Sequence, residues 1–238
     1  IMKRHLTLLL VASLFFSTLA ASDGQGVSYT GFTVNYCYQD VHTSVDDLKA
    51  VWDGKADNLA HGFNVGFYFQ QNLYKGVVLV TGAQYQFTAR INKNLDLNKY
   101  FLPGYGDIQH FNHNIIVPLK FGYSITFDGT SCFTVYAGPS LNFVVSTMHN
   151  LRISSDNYQY TDFVSGKHIV KNNGEKKTTT SQDFKRMGWF DIPMGLGAVV
   201  RFGRYGLHFE YEWGLVDRWK ESGKFRSDQL TAGLVFAF

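Results

Sequence analysis

The sequence predicts an all-β fold, an eight-stranded antiparallel up-and-down transmembrane β-barrel. Three observations predict it. Large apolar side chains recur at every second position through eight separate stretches, the period of a pleated strand. Short and long connections alternate between those stretches, as in a barrel whose tight turns gather at one end. Glycines and charges share the face opposite the bulky one, which assigns that face to a narrow interior.

Composition fits one such domain. The chain has 238 residues, 16% aromatic and only 17% charged, so apolar material is ample. A net charge of +3 is too mild to imply nucleic acid as a partner. Lys3 and Arg4 lead into an apolar run, Leu6 to Leu19, and then the small residues Ala20, Ala21 and Ser22. That pattern reads as a cleaved signal peptide over residues 1–22, leaving 23–238 as the barrel. No later stretch has the roughly 20 apolar residues of a membrane-spanning helix. Cys37 and Cys132 fall toward opposite ends of their strands and are expected to be free thiols.

The first stretch, 28–39, puts Phe32, Val34, Tyr36 and Tyr38 on one face. The second, 61–71, alternates Phe63, Val65, Phe67 and Phe69 against Asn64, Gly66, Tyr68 and Gln70. The third, 76–91, sets Val77, Leu79, Ala83, Tyr85 and Phe87 against Gly82, Gln84, Gln86 and Thr88. The fourth, 111–127, opposes Val117, Leu119, Phe121, Tyr123 and Ile125 to Pro118, Lys120, Gly122 and Ser124. In the fifth, 132–147, the pattern is Phe133, Val135, Leu141 and Phe143 against Thr134, Gly138, Ser140 and Asn142. The sixth, 188–202, has Ile192, Met194, Leu196 and Val200 against Asp191, Gly195, Gly197 and Arg201. The seventh, 207–216, has Phe209, Tyr211, Trp213 and Leu215 against His208, Glu210, Glu212 and Gly214. The eighth, 230–238, places Leu230, Ala232, Leu234, Phe236 and Phe238 on one face. Alternation sustained this long excludes helices.

Tight links at Tyr74-Lys75, Asp128-Gly129 and Arg204-Tyr205 join strands two to three, four to five and six to seven. The others are long and polar: 40–60, 92–110, 150–187 and 218–226. An even strand number then leaves both termini at the short-turn end.

Orientation of the faces follows from volume and charge. An eight-stranded barrel has an interior that side chains just fill, and rings at most positions would overfill it. Glycine at positions 66, 82, 122, 138, 195, 197, 214 and 233 suits the crowded axis. Lys120, Asp191, Arg201, Glu210 and Glu212 lie on that same face. Turned to lipid, each cation there would cost about 2–4 kcal/mol, so the charges point inward, where they can pair. Two aromatic belts complete the pattern. Tyr36, Tyr38, Phe63, Phe87, Phe190 and Trp219 are expected near the long loops; Phe69, Tyr74, Phe127, Phe133, Phe202 and Phe238 near the short turns.

Four segments, Val117–Tyr123, Tyr136–Leu141, Gly195–Ala198 and Glu210–Leu215, resemble the small PorT-like "porin family" of outer-membrane β-barrels. In size the chain is also similar to the OmpA-type transmembrane barrel. The resemblance implies a Gram-negative outer membrane, periplasmic termini and extracellular long loops. It also implies that Gly233, Leu234, Phe236 and Phe238 belong to a signal read by the barrel-assembly machinery. Implied partners are outer-membrane lipid, lipopolysaccharide and a protein of an envelope complex.

For chemistry, the sequence offers no catalytic, cofactor-binding or metal-binding set. His208 has Arg201 and Glu210 for company and reads as part of a lumen network with Lys120, Asp191 and Glu212. His110 and His113 have no serine–acid pair beside them. Asp53, Asp57 and Asn58 lack the further acids of a calcium loop. The basic run Lys167, His168, Lys171, Lys176, Lys177, Lys185 and Arg186 reads as a solvated loop that could meet anionic phosphates. The expectation is a non-enzymatic envelope barrel with a plugged lumen. A lipid-modifying enzyme, a narrow gated channel and a ligand-binding barrel are the alternatives.

Overall fold

The computed structural model describes residues 27–44, 59–96, 105–153, 158–161, 168–171, 178–181, 188–220 and 223–238. Twelve strands follow in order: β1 (Tyr29–Thr43), β2 (Ala60–Tyr74), β3 (Val77–Asp96), β4 (Tyr105–Thr126), β5 (Cys132–Ile153), β6 (Tyr158–Thr161), β7 (His168–Lys171), β8 (Thr178–Ser181), β9 (Phe190–Asp191), β10 (Pro193–Phe202), β11 (Tyr205–Gly214) and β12 (Phe225–Ala237). β9 and β10 act as one wall strand interrupted at Ile192. The wall runs β1-β2-β3-β4-β5-β10-β11-β12, every neighbour antiparallel, and closes where β12 pairs with β1. This is a closed eight-stranded antiparallel barrel. Closure leaves no unpaired sheet edge, the condition for strands to stand in lipid. Among the described residues, no helix is long and apolar enough to cross a membrane.

The faces divide by polarity in the sense opposite to a soluble protein. Lys120 is fully buried while its neighbour Phe121 is 61% exposed. Gln86, Thr134 and Asn35 are buried as deeply; Phe67, Leu196, Phe202 and Phe209 face outward and stay exposed. Buried apolar groups are fewer, and Tyr68, Val78, Val80, Tyr136, Val199 and Val235 form one cluster inside, with Tyr29 packed against it.

The turns are tight where expected, shifted by a residue. Lys75 and Gly76 both have positive φ, 44° and 89°, the signature of a type I′ hairpin. At the β10–β11 turn Gly203 takes φ 58°. Asp128 organises the third: its Oδ1 accepts from the Ser131 amide at 2.6 Å and the Thr130 amide at 3.1 Å.

Several expectations need correction. The link 92–110 is mostly strand, because β3 runs to Asp96 and β4 starts at Tyr105. Likewise β5 continues to Ile153, and the link that follows carries β6, β7 and β8, the last paired with β5. Through these strand ends the sequence loses its apolar–polar alternation, which is why they read as loop. The link 218–226 is shorter than expected, since β12 begins at Phe225. Asp217 Oδ1 ties it by accepting from the Trp219 amide at 3.0 Å and the Phe225 amide at 2.9 Å. Trp219 is buried and leaves the outer belt, whereas Trp189 at 54% exposure and Trp213 stand on the outer surface. Residues 1–26, Asp53, Asp57, Asn58, Lys167, Lys176, Lys177, Lys185 and Arg186 lie outside the described residues; His168 and Lys171 end the short strand β7. Cys37 and Cys132 are both buried and free.

Candidate functional site

The centre of the lumen is built by rows of residues at one height. Gly138 of β5 pairs with Gly195 of β10, and Gly195 with Glu212 of β11. These two glycines let the Lys120 side chain lie flat along the inner wall, from β4 to β11, to reach the Glu212 Oε1 at 2.8 Å. A Cβ on Gly195 would stand 2.7 Å from the Lys120 Nζ. The next row repeats the device: Tyr136 pairs with Gly197, and Gly197 with Glu210. A Cβ on Gly197 would stand 2.6 Å from the Tyr136 ring. Small residues therefore mark where long side chains cross strands.

Around this crossing the polar groups interlock. Lys120 also pairs with Glu210. Ser140 Oγ donates to Glu212 Oε1 at 2.6 Å, and the Tyr136 hydroxyl donates to Glu210 Oε2 at 3.0 Å. His208 Nε2 bonds the Tyr136 hydroxyl and lies 3.3 Å from Glu210 Oε2. Its Nδ1 faces Asn35 Oδ1 at 3.1 Å, while Asn35 Nδ2 donates to Asn64 Oδ1 at 2.6 Å. Two carboxylates thus meet a single ammonium in a buried site.

Layers of different chemistry lie on either side. Toward the short turns sits the apolar cluster, where Arg201 lies 4.4 Å over the Tyr29 ring and donates to the Gly203 carbonyl at 2.6 Å. Toward the long loops, amides chain across the lumen. Asn114 Nδ2 donates to Gln86 Oε1, Gln86 Nε2 to Gln229 Oε1, each at 2.8 Å, and Gln229 Nε2 to Thr231 Oγ1 at 3.1 Å. Arg90 is buried above them. A small cavity with room for about one water remains beside Ser140, Glu212 and His208.

Of the six charged residues singled out in the sequence, four come together: Lys120, His208, Glu210 and Glu212. Arg201 sits apart in the Tyr29 layer, and Asp191, where β9 interrupts the strand, has Arg218 as an opposing charge. His208 meets Tyr136 and Asn35 rather than Arg201. Tyr136, Ser140 and Asn35 join the cluster without having been marked as its members, although a tyrosine on the glycine face is a visible signal. His110 is buried, and His113 Nδ1 bonds the Tyr85 hydroxyl on the outer surface. Gly233, Leu234, Phe236 and Phe238 lie along the closing strand and just past it, where the Phe238 amide donates to the Thr30 carbonyl at 3.0 Å. Among the described residues no group of three or more His, Cys, Asp or Glu could hold a metal ion.

No protein-family model matches the chain, and no curated protein does. Several solved structures show a similarity to it. It is similar to Ail, the attachment invasion locus protein of Yersinia pestis, in complex with the heparin analogue sucrose octasulfate. The TM-score is 0.44 and the identity 12%, over 89% of this chain and 99% of that one. Neisserial surface protein A gives a TM-score of 0.40 at 12% identity, over 89% and 99%. The translocator domain of the autotransporter NalP from Neisseria meningitidis gives 0.23 at 11%, over 100% and 95%. The assignment of the barrel itself rests on its strand pairing.

Proposed function

We propose that this chain is an integral outer-membrane β-barrel of a Gram-negative envelope, without enzymatic activity, whose charged lumen is plugged. The observation that carries the reading is the reversal of polarity between Lys120, buried completely, and the exposed rings of Phe121, Phe202 and Phe209 around it. A surrounding hydrocarbon phase makes such an exterior favourable, and among sheets only a closed barrel meets that phase without an unpaired edge. Residues 1–22 direct export, both termini face the periplasm, and Gly233, Leu234, Phe236 and Phe238 are read by the assembly machinery.

Its work is done at the cell surface. A membrane-spanning strand needs about 9–11 residues. β10 and β11 have 10 each, whereas β3, β4 and β5 have 20, 22 and 22. One side of the barrel therefore rises well past the bilayer as a three-stranded blade, to which β8 adds at the edge of β5. This blade and the long loops present a surface to lipopolysaccharide or to a protein of an envelope complex. Fractionation tests the location: the protein should pellet with outer membranes, require detergent for release and migrate faster unboiled than boiled. Recovery in the aqueous fraction would overturn the reading. Deleting the segment 150–187 and comparing co-purified partners tests the surface role.

A further inference from the structure

The chain has 4 prolines, and three of them stand side by side in the barrel wall. Pro118 lies in β4, Pro139 in β5 and Pro193 at the start of β10. Proline lacks the ladder donor and is normally confined to edges and bulges, not to neighbouring interior strands. Each one here coincides with a break in pairing. β3 and β4 jump from Thr81↔Leu119 to Gln84↔Ile116. β4 and β5 jump from Pro118↔Ser140 to Phe121↔Ala137. β5 pairs with β10 as far as Pro139↔Met194 and resumes with β9 at Asn142↔Asp191. In all three the register is unchanged across the break, so these are gaps and not bulges. The remaining seams run continuously except for one bulge at Asn72/Tyr74.

The gaps fall within one band of wall, and the two sides of that band differ. Outside it Leu119, Leu141 and Met194 face the lipid. Inside lies the small polar cavity, bordered by Pro118, Ser140 and Glu212. Missing ladder bonds in hydrocarbon are expensive, so a wall serving only as a wall would not concentrate them. Nor would it place them over its one-water cavity. We propose that this band is a lateral portal for a membrane-dissolved single-chain amphiphile with a hydrogen-bond-donating head, an alkyl amine or alcohol. The head passes between β4, β5 and β10 to rest against Ser140 and Glu212, while the chain stays among the lipid tails. Two carboxylates facing one ammonium select a donor over an anionic head.

The test uses the full barrel in lipid nanodiscs, with Cys37→Ser and Cys132→Ser removing the native thiols and Ser140→Cys as the reporter. The proposal requires the chain to span a membrane, which faster migration of unboiled protein checks separately. N-dodecylmaleimide, dissolved in the bilayer, should alkylate the reporter thiol faster than a sulfonated, water-soluble maleimide. Restoring two donors with Pro139→Val and Pro193→Val should slow that alkylation about tenfold, two ladder bonds at about 0.5–1.5 kcal/mol each. Dodecylamine should protect the thiol and dodecanoate should not. Equal rates for the two reagents, no effect of the valines, or no protection by dodecylamine would overturn the proposal. Should the reporter variant fail to fold, amide exchange on the wild type decides. Segments 117–120 and 138–141 must exchange faster than the same heights of β1 and β12, and equal protection would overturn it.

Discussion

The Lys120 ammonium reaches Glu212 at 2.8 Å only because Gly195 lies between them without a side chain. The ion pair and the glycine are one structural unit. Removing the cation leaves Glu210 and Glu212 buried without it. Lys120→Met should therefore destabilise the barrel by about 3–5 kcal/mol, read as a shift of the urea midpoint in liposomes. Adding Glu210→Gln and Glu212→Gln should recover most of that loss, since the crossing then holds no uncompensated carboxylate.

Gly197 offers the matching steric test. A methyl there meets the Tyr136 ring at 2.6 Å, with ring carbons and hydroxyl alike in the way. Gly197→Ala should cost about 1–3 kcal/mol by overpacking. In a Tyr136→Ala background the same substitution should cost almost nothing, and a double-mutant cycle measures the coupling.

Asp128 predicts a pH response outside the membrane-spanning strands. Its carboxylate accepts first from the Ser131 amide, then from the Ser131 hydroxyl and the Thr130 amide, and these bonds hold its pKa below the usual aspartate value. A depressed folded value means the turn's contribution is complete above the unfolded pKa, about 3.9, and fades as pH falls through the folded one. The carboxyl resonance should titrate below that of a free aspartate. Asp128→Asn should lower stability at neutral pH and remove this acid dependence.

The apolar layer of Tyr68, Val78, Val80, Tyr136, Val199 and Val235 predicts electrical silence. Planar-bilayer recordings of the wild type should show no persistent nanosiemens openings. Tyr68→Ala with Tyr136→Ala removes the two largest members, and small-ion leakage should then appear.

Strand identity and facing were legible because the bilayer forces strict alternation: Phe121 and Lys120, adjacent in sequence, belong to different solvents. Where that alternation lapses, at 92–96, 105–110 and 148–153, the ends of β3, β4 and β5 read as loop. The lumen residues were legible one by one, their partners much less so. Reaching Glu212 from Lys120 depends on register across three seams, which no local pattern carries. For the same reason Arg201 and Asp191 looked like members of a network they do not join. The proline gaps were invisible too, since nothing in the sequence shows that residues 118, 139 and 193 come to lie side by side.

Closure by β12 against β1 has a consequence for biogenesis. Phe32 meets Phe236 and Val34 meets Leu234, so the final seam joins strands from opposite ends of the described chain. No partial product can form a sealed cylinder; every earlier intermediate exposes two raw edges and a greasy outer surface. Until its last strand arrives the polypeptide is an adhesive sheet, and a slow or truncated synthesis would leave it so.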